Sequence, residues 1–130
     1  MMNDGRKILI VDDERPVRDV FEETFSRAGY AVQTADSGER ALRLLAEGQI
    51  RVMFLDLKLT GMDGMELARQ IRKHYPDAIM YAITGYADEF DLSGCCQAGF
   101  NGYFLKPVKL EDLYRAAGEA FLELEQTKGS

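Results

Sequence analysis

Four apolar runs in this chain each end on a residue that can do chemistry. Val52-Met53-Phe54-Leu55 ends on Asp56, and Ile8-Leu9-Ile10-Val11 ends on Asp12-Asp13. Ala78-Ile79-Met80-Tyr81-Ala82-Ile83 ends on Thr84, and Gly102-Tyr103-Phe104-Leu105 ends on Lys106-Pro107. In an open parallel sheet the carboxyl ends of the strands lie side by side, and ligand sites form there where the strand order reverses. Three carboxylates, a hydroxyl and an ammonium at one sheet edge suit a divalent cation and a phosphoryl group. A phosphoryl group moving to a carboxylate carries charge on its equatorial oxygens, so the protein mainly aligns the reactants and neutralises that charge. Mg2+ does this with hard oxygen ligands and retained waters. Lys106 would add a point charge and Thr84 a hydroxyl donor.

The elements between these runs must bring their ends together. After Asp13, the residues Val17, Val20, Phe21, Thr24, Phe25 and Ala28 recur at the spacing of one helix face. Gly29 stops that helix, and Tyr30 to Ala35 reads as a short strand. Ser37 is a good N-cap for a second helix with Ala41, Leu42 and Leu45 inward and Gly48 at its end. Asp63 caps a third helix through Leu67, Ala68 and Ile71, which Pro76 closes. A fourth helix is expected over about Ala87 to Ala98, weakened by Gly94, which costs about 1 kcal/mol against alanine. A last helix carries Leu110, Leu113, Ala117, Ala120, Phe121 and Leu124, and the polar tail from Glu125 to Ser130 is expected to fray. Five strand–helix units with short connections predict an α/β fold, (βα)5 and doubly wound, with helices on both faces. The expected order of its five-stranded parallel sheet is 2-1-3-4-5, the flavodoxin-like arrangement. That order puts the reversal between the strands ending in Asp12-Asp13 and Asp56.

Bulk composition narrows the class. The 130 residues argue for one domain, 1–130, with a core of about 6–124 between polar termini. A net charge of −6 argues against direct binding of nucleic acid. The longest unbroken apolar run, Ala78 to Ile83, is far short of the ~20 residues that span a bilayer, so no membrane insertion is expected. The N-terminus has no signal-peptide apolar core. Cys95 and Cys96 are adjacent, a strained spacing for a disulfide, so both read as thiols in a reducing cytoplasm, one packed and one partly exposed. The only histidine, His74, excludes a zinc cluster of Cys and His. Standing before Tyr75-Pro76 at a helix end, it reads as a solvated side chain.

Taken together, these residues resemble the receiver domain of response regulators in two-component signalling, a CheY-like superfamily. The matching motifs are Ile8-Leu9-Ile10-Val11-Asp12-Asp13-Glu14, Leu55-Asp56, Gly61-Met62-Asp63-Gly64, Thr84-Gly85, Ala98-Gly99 and Lys106-Pro107. They cover about Arg6 to Leu124. The resemblance implies that Asp56 accepts a phosphoryl group from a phosphohistidine of a sensor histidine kinase or phosphotransfer protein. It implies Mg2+ or Mn2+ on Asp13 and Asp56, with Asp12 acting through water and the Lys58 backbone carbonyl as a further ligand. Thr84 and Lys106 would contact the phosphoryl oxygens, Tyr103 would be the switch aromatic, and Gly85, Tyr86 and Pro107 would flank the site. The output partner or domain would dock on the face made by the fourth helix, fifth strand and fifth helix. Homodimerisation on phosphorylation is a further option. Such a protein is a switch and not an enzyme, catalysing only its own phosphorylation and dephosphorylation.

Each residue also has an ordinary reading: Asp12-Asp13 as a solvated turn, Thr84 as a turn residue, Lys106 as a surface lysine, Tyr103 as packing. Their arrival in order at four strand ends favours the site. The sequence departs from the family at Thr60, where proline is usual, which suggests a more mobile loop. It departs again at Phe100, where a small residue is usual. Lys58 and Tyr86 are large at the positions two beyond Asp56 and Thr84, which predicts a long-lived phosphorylated form. A nucleotide-binding flavodoxin-like module is disfavoured, since no Walker loop and no G-x-G-x-x-G follows the first strand, and two other classes are weighed. Asp56-Leu57-Lys58-Leu59-Thr60 echoes the Asp-x-Asp-x-Thr motif of haloacid-dehalogenase-type phosphatases, but Lys58 replaces their general acid and the acidic pair comes first in the chain. A receiver-like scaffold that never takes phosphate is the second, and the full set of site residues argues against it.

Overall fold

The structure, a computed structural model, describes residues 6–85 and 94–129, with side chains described as far as Gln126. Five strands alternate with helices: β1 (Lys7–Val11), α1 (Arg15–Arg27), β2 (Ala31–Ala35), α2 (Gly38–Glu47), β3 (Val52–Asp56), α3 (Gly64–His74), β4 (Ile79–Thr84), α4 (Gly94–Ala98), β5 (Gly102–Leu105) and α5 (Leu110–Gly129). All strand pairs are parallel and the order is β2-β1-β3-β4-β5, as the sequence predicts. β3 is buried along its whole length, which is why its sequence is a continuous apolar run with no alternation.

The sheet divides two cores. On one face Leu9, Val11, Met53, Leu55, Met80 and Ala82 pack against Ala41, Leu45, Leu67, Ala68, Ile71 and Cys95 from α2, α3 and α4. On the other, Ile8, Ile10, Val52, Phe54, Ile79 and Ile83 meet Phe21 and Phe25 of α1 and Leu113, Ala117 and Ala120 of α5. Phe54 stacks on Phe25 at 5.0 Å and on Tyr81 at 5.2 Å between ring centroids, contacts worth about 1 kcal/mol each beyond area burial.

The caps fall where the sequence places them. The Ser37 side chain accepts the N–H of Arg40, and Asp63 accepts that of Glu66 at 2.9 Å. Gly29, with φ 97°, follows the end of α1. Several expectations need correction. Val20, placed on the inner face of α1, is 53% exposed, because the buried stripe runs through Phe21, Thr24 and Phe25 and leaves Val20 at its edge. Ala28 is exposed beyond the last turn. Leu110 is 45% exposed at the first residue of α5, before the helix meets the sheet. The tail expected to fray continues α5 to Gly129. Its Glu, Gln and Lys residues propagate a helix already nucleated at little cost. Phe100 is buried beside Cys95 and Ala98. Cys95 is buried, Cys96 exposed, both as thiols, and His74 is exposed. Of the predicted fourth helix, Gly94–Ala98 is helical, and the rest, like Tyr86, lies outside the described residues.

Candidate functional site

Strand register gathers the chemistry. Val11 pairs with Leu55, so Asp12 and Asp56 follow on neighbouring strands one residue later. Asp56 pairs with Ile83 and Thr84 with Leu105. The Lys106 N–H then donates to the Thr84 carbonyl at 2.8 Å, fixing the start of the next loop. The Lys106–Pro107 peptide is cis.

Asp12, Asp13 and Asp56 place one carboxylate oxygen each within 4.8 Å of one another. Asp12 and Asp56 are buried, while Asp13 is exposed at the rim. Lys106 Nζ stands 3.5 Å from Asp12 Oδ2 and 3.6 Å from Asp56 Oδ2, bridging the two buried carboxylates. Backbone groups hold both in place: the Lys58 N–H donates to Asp56 Oδ1 at 3.1 Å and the Glu14 N–H to Asp12 Oδ1 at 2.9 Å. A cavity of about 150 Å3 opens above them, lined by Asp13, Glu14, Asp56, Lys58 and Lys106.

Burial pushes the Asp56 carboxyl up from 3.8 to about 6. The Lys58 N–H opposes the rise, the Asp12 carboxylate adds to it, and the Lys106 ammonium again opposes it. Lys106 moves the other way from what burial alone would do. Burial lowers an ammonium, but Asp56 and Asp12 outweigh that and hold it above its ordinary value. The site thus carries more negative charge than its one bridging lysine balances. All three clustered side chains are hard oxygen donors, with no sulfur or nitrogen among them, which fits a cation such as Mg2+ better than a soft metal.

Thr84 is fully buried at the end of β4, and Gly85 after it is exposed. A side chain on Gly85 would come within 3.6 Å of Lys106 Cβ. Tyr103 is 47% exposed on β5, alternating with Phe104, which is partly buried against the core. Pro107 is exposed. Two contacts escaped the sequence reading. Arg18 Nη1 donates to the Asp12 backbone carbonyl at 2.8 Å, tying α1 to the end of β1. Thr60 Oγ1 donates to Asp13 Oδ2 at 3.2 Å, tying the loop after β3 to the acidic rim. Neither leaves a periodic signal, and the second joins residues 47 apart.

A larger cavity, about 800 Å3, lies at the opposite end of the sheet near Lys7, Arg51 and Ile79. Three of its charged side chains, Arg51, Asp77 and Arg72, are engaged in the surrounding structure. Arg51 pairs with Asp77 at 3.1 Å, and Arg72 is bonded to Gly99, Pro76 and Asn101 oxygens. The converging carboxylates and ammonium are at the other end.

The family model described as the response regulator receiver domain matches residues 8–118, and the chain belongs to that family. It is therefore a signalling module of two-component systems. It is 29% identical to a response regulator receiver domain protein from Clostridium thermocellum, over 94% of this chain and 98% of that one, with a TM-score of 0.88. It is 32% identical to the response regulator TrrA from Thermotoga maritima, solved in complex with Mg2+-BeF, over 88% of this chain and 98% of that one, with a TM-score of 0.79. It is 28% identical to NtrX from Brucella abortus, over 95% of this chain but 28% of that one, with a TM-score of 0.87. Among the described residues no helix is long and apolar enough to cross a membrane.

Proposed function

We propose that this receiver works as a phosphorylation-controlled switch whose acceptor is Asp56. The observation that carries the reading is the triangle of Asp12, Asp13 and Asp56 oxygens beside the Lys106 ammonium. A Asp56 carboxylate oxygen attacks the phosphorus of a phosphohistidine on a sensor kinase or phosphotransfer protein. The phosphorus–nitrogen bond breaks and an acyl phosphate forms. Asp12, Asp13, Asp56 and the Lys58 carbonyl would hold Mg2+, which when bound neutralises charge on the phosphoryl oxygens. Lys106 leaves its carboxylate partners to pair with a phosphoryl oxygen, and the Thr84 hydroxyl donates to another. The Lys58 N–H keeps Asp56 oriented throughout.

Phosphorylation then biases an equilibrium between two shapes. The face that reads out the change is the one around Tyr103, where Leu105 is 48% exposed and Leu110 and Tyr114 add further uncovered apolar surface. An output domain or partner protein docks there. The TrrA complex with Mg2+-BeF supports the same chemistry at this site by likeness.

The test is mass spectrometry after incubation with acetyl phosphate and MgCl2. The chain is expected to gain one adduct of about 80 Da, and Asp56→Asn none. Equal labelling of the variant sinks the assignment. The lifetime of the adduct follows from the cavity lining. Lys58 borders the entrance over Asp56 and carries neither carboxylate nor amide to position an attacking water. Lys58→Asn, alone or with Tyr86→Ala, is expected to speed loss of the adduct several-fold. Decay as slow as the parent's means that these side chains do not shield the phosphoryl group.

A further inference from the structure

We infer that Thr60 is a positioning residue that sets which divalent cation the acidic site prefers, selecting Mg2+ over Ca2+ by occupying one oxygen of Asp13. This rests on the metal site proposed above. Asp13 is the exposed member of the acidic triangle. Asp12 and Asp56 are held by backbone N–H groups and by Lys106. Asp13 stands at the rim, where its carboxylate would otherwise rotate among staggered positions. Among the described residues, its side chain accepts a hydrogen bond from Thr60, whose Oγ1 donates to Asp13 Oδ2 at 3.2 Å. Thr60 sits on the loop that leaves β3 just beyond Asp56, so the bond closes the site between two loops and not within one.

The cation chemistry follows from that bond. A carboxylate oxygen that already accepts a hydroxyl hydrogen is a poorer cation ligand, so Asp13 offers mainly its other oxygen. Mg2+ demands six ligands in near-ideal octahedral geometry and is well served by single oxygens and waters. Ca2+ is larger, takes 6–8 oxygens and often chelates both oxygens of one carboxylate. Pinning one oxygen of the exposed carboxylate of the triangle therefore suits the smaller ion. Releasing it allows Asp13 to turn both oxygens inward, which suits Ca2+.

Thr60 is exposed, so substitutions there are readily tolerated by the fold. The experiment is an NMR amide titration of the full chain with MgCl2 and with CaCl2, giving the ratio of the two Kd values. Thr60→Val keeps the side-chain shape and removes the donor, while Thr60→Ser keeps the donor. Thr60→Val is expected to shift the ratio toward Ca2+ by about three-fold or more, and Thr60→Ser to stay within about two-fold of the parent. An unchanged ratio in Thr60→Val, or the same shift in Thr60→Ser, overturns the inference. A general structural role for Thr60 would weaken both ions alike and leave the ratio unmoved. Asp13→Asn separates the two levels: it is expected to weaken both ions strongly. If it binds Mg2+ as the parent does, the metal site itself is misassigned and the inference falls with it.

Discussion

In EDTA at pH 7.5, Asp56→Asn is expected to melt about 5–10 °C above the parent chain, although it lacks the carboxylate proposed to take phosphate. The reason is the cost of an ionised Asp56. The residue is only 6% exposed and its carboxylate stands beside another, so its pKa rises from 3.8 to about 6. A raised carboxyl pKa means that the folded chain holds a proton which the unfolded chain has released. Stability from this group therefore falls as pH rises from about 4 to about 6, and above pH 6 the whole penalty is in place. A shift of about two units corresponds to about 2–3 kcal/mol. The amide carries no charge to desolvate, and its oxygen can still accept the Lys58 N–H. Melting at pH 7.5, 6 and 4.5 gives the check: the advantage of Asp56→Asn is expected to shrink steadily and to vanish near pH 4. A variant that melts below the parent at pH 7.5 would show that the carboxylate is not under strain. MgCl2 is expected to narrow the gap by stabilising the parent, since a ligand that binds only the folded state adds to its stability.

Gly64→Ala is expected to cost about 3 kcal/mol, read by urea unfolding, and to reduce phosphoryl labelling at temperatures where the variant is still folded. Gly64 opens α3 directly behind the end of β3, where its N–H donates to the Leu57 carbonyl at 2.9 Å. A Cβ there would collide with the Asp56 carbonyl oxygen and stand 2.7 Å from Leu57 Cα and 3.1 Å from the Asp56 carbonyl carbon. These are backbone atoms, so no flexible side chain can move aside. Either the end of β3 or the first turn of α3 must shift, and overpacking of this kind costs about 1–3 kcal/mol or more. The displaced backbone is that of Asp56, the proposed acceptor, which links the stability loss to the labelling. Gly118→Ala is the control. It lies exposed within α5 with nothing within 4 Å of an added Cβ, so it is expected to stabilise by about 0.5–1 kcal/mol. Equal losses at both positions would mean that packing against β3 is not what forbids a side chain at Gly64.

What the sequence makes legible here are features written locally. A buried parallel strand is a short apolar run, and its end is the first polar residue, so Asp12, Asp56, Thr84 and Lys106 could be placed at one edge before any coordinates. Caps are equally local, which is why Ser37 and Asp63 were identifiable. Val20 and Leu110 were misplaced because a helical period fixes the direction of an apolar stripe but not its width or where it leaves the core. Phe100 gave no signal, since its burial depends on how α3, α4 and the sheet close around it. The Thr60–Asp13 bond was invisible for a different reason. It joins two loops whose approach is decided by the parallel register of β1 and β3, and no single-residue pattern reports that distance.

The attachments of Arg72 give the two ends of the molecule different mechanical roles. From α3 its guanidinium donates to the Gly99 carbonyl through Nε and Nη2, to the Pro76 carbonyl, and to Asn101 Oδ1. That same Asn101 oxygen accepts the Met80 N–H. One side chain thus rivets the exit of α4, the entrance of β5, the entrance of β4 and the end of α3 into a single block. The block stands at the end of the sheet away from Asp56. A beam clamped at one end deflects most at the other. If Asp56 takes phosphate as proposed, displacement is expected to be smallest at Gly99 and largest at the carboxyl ends of β4 and β5, beside Thr84 and Lys106.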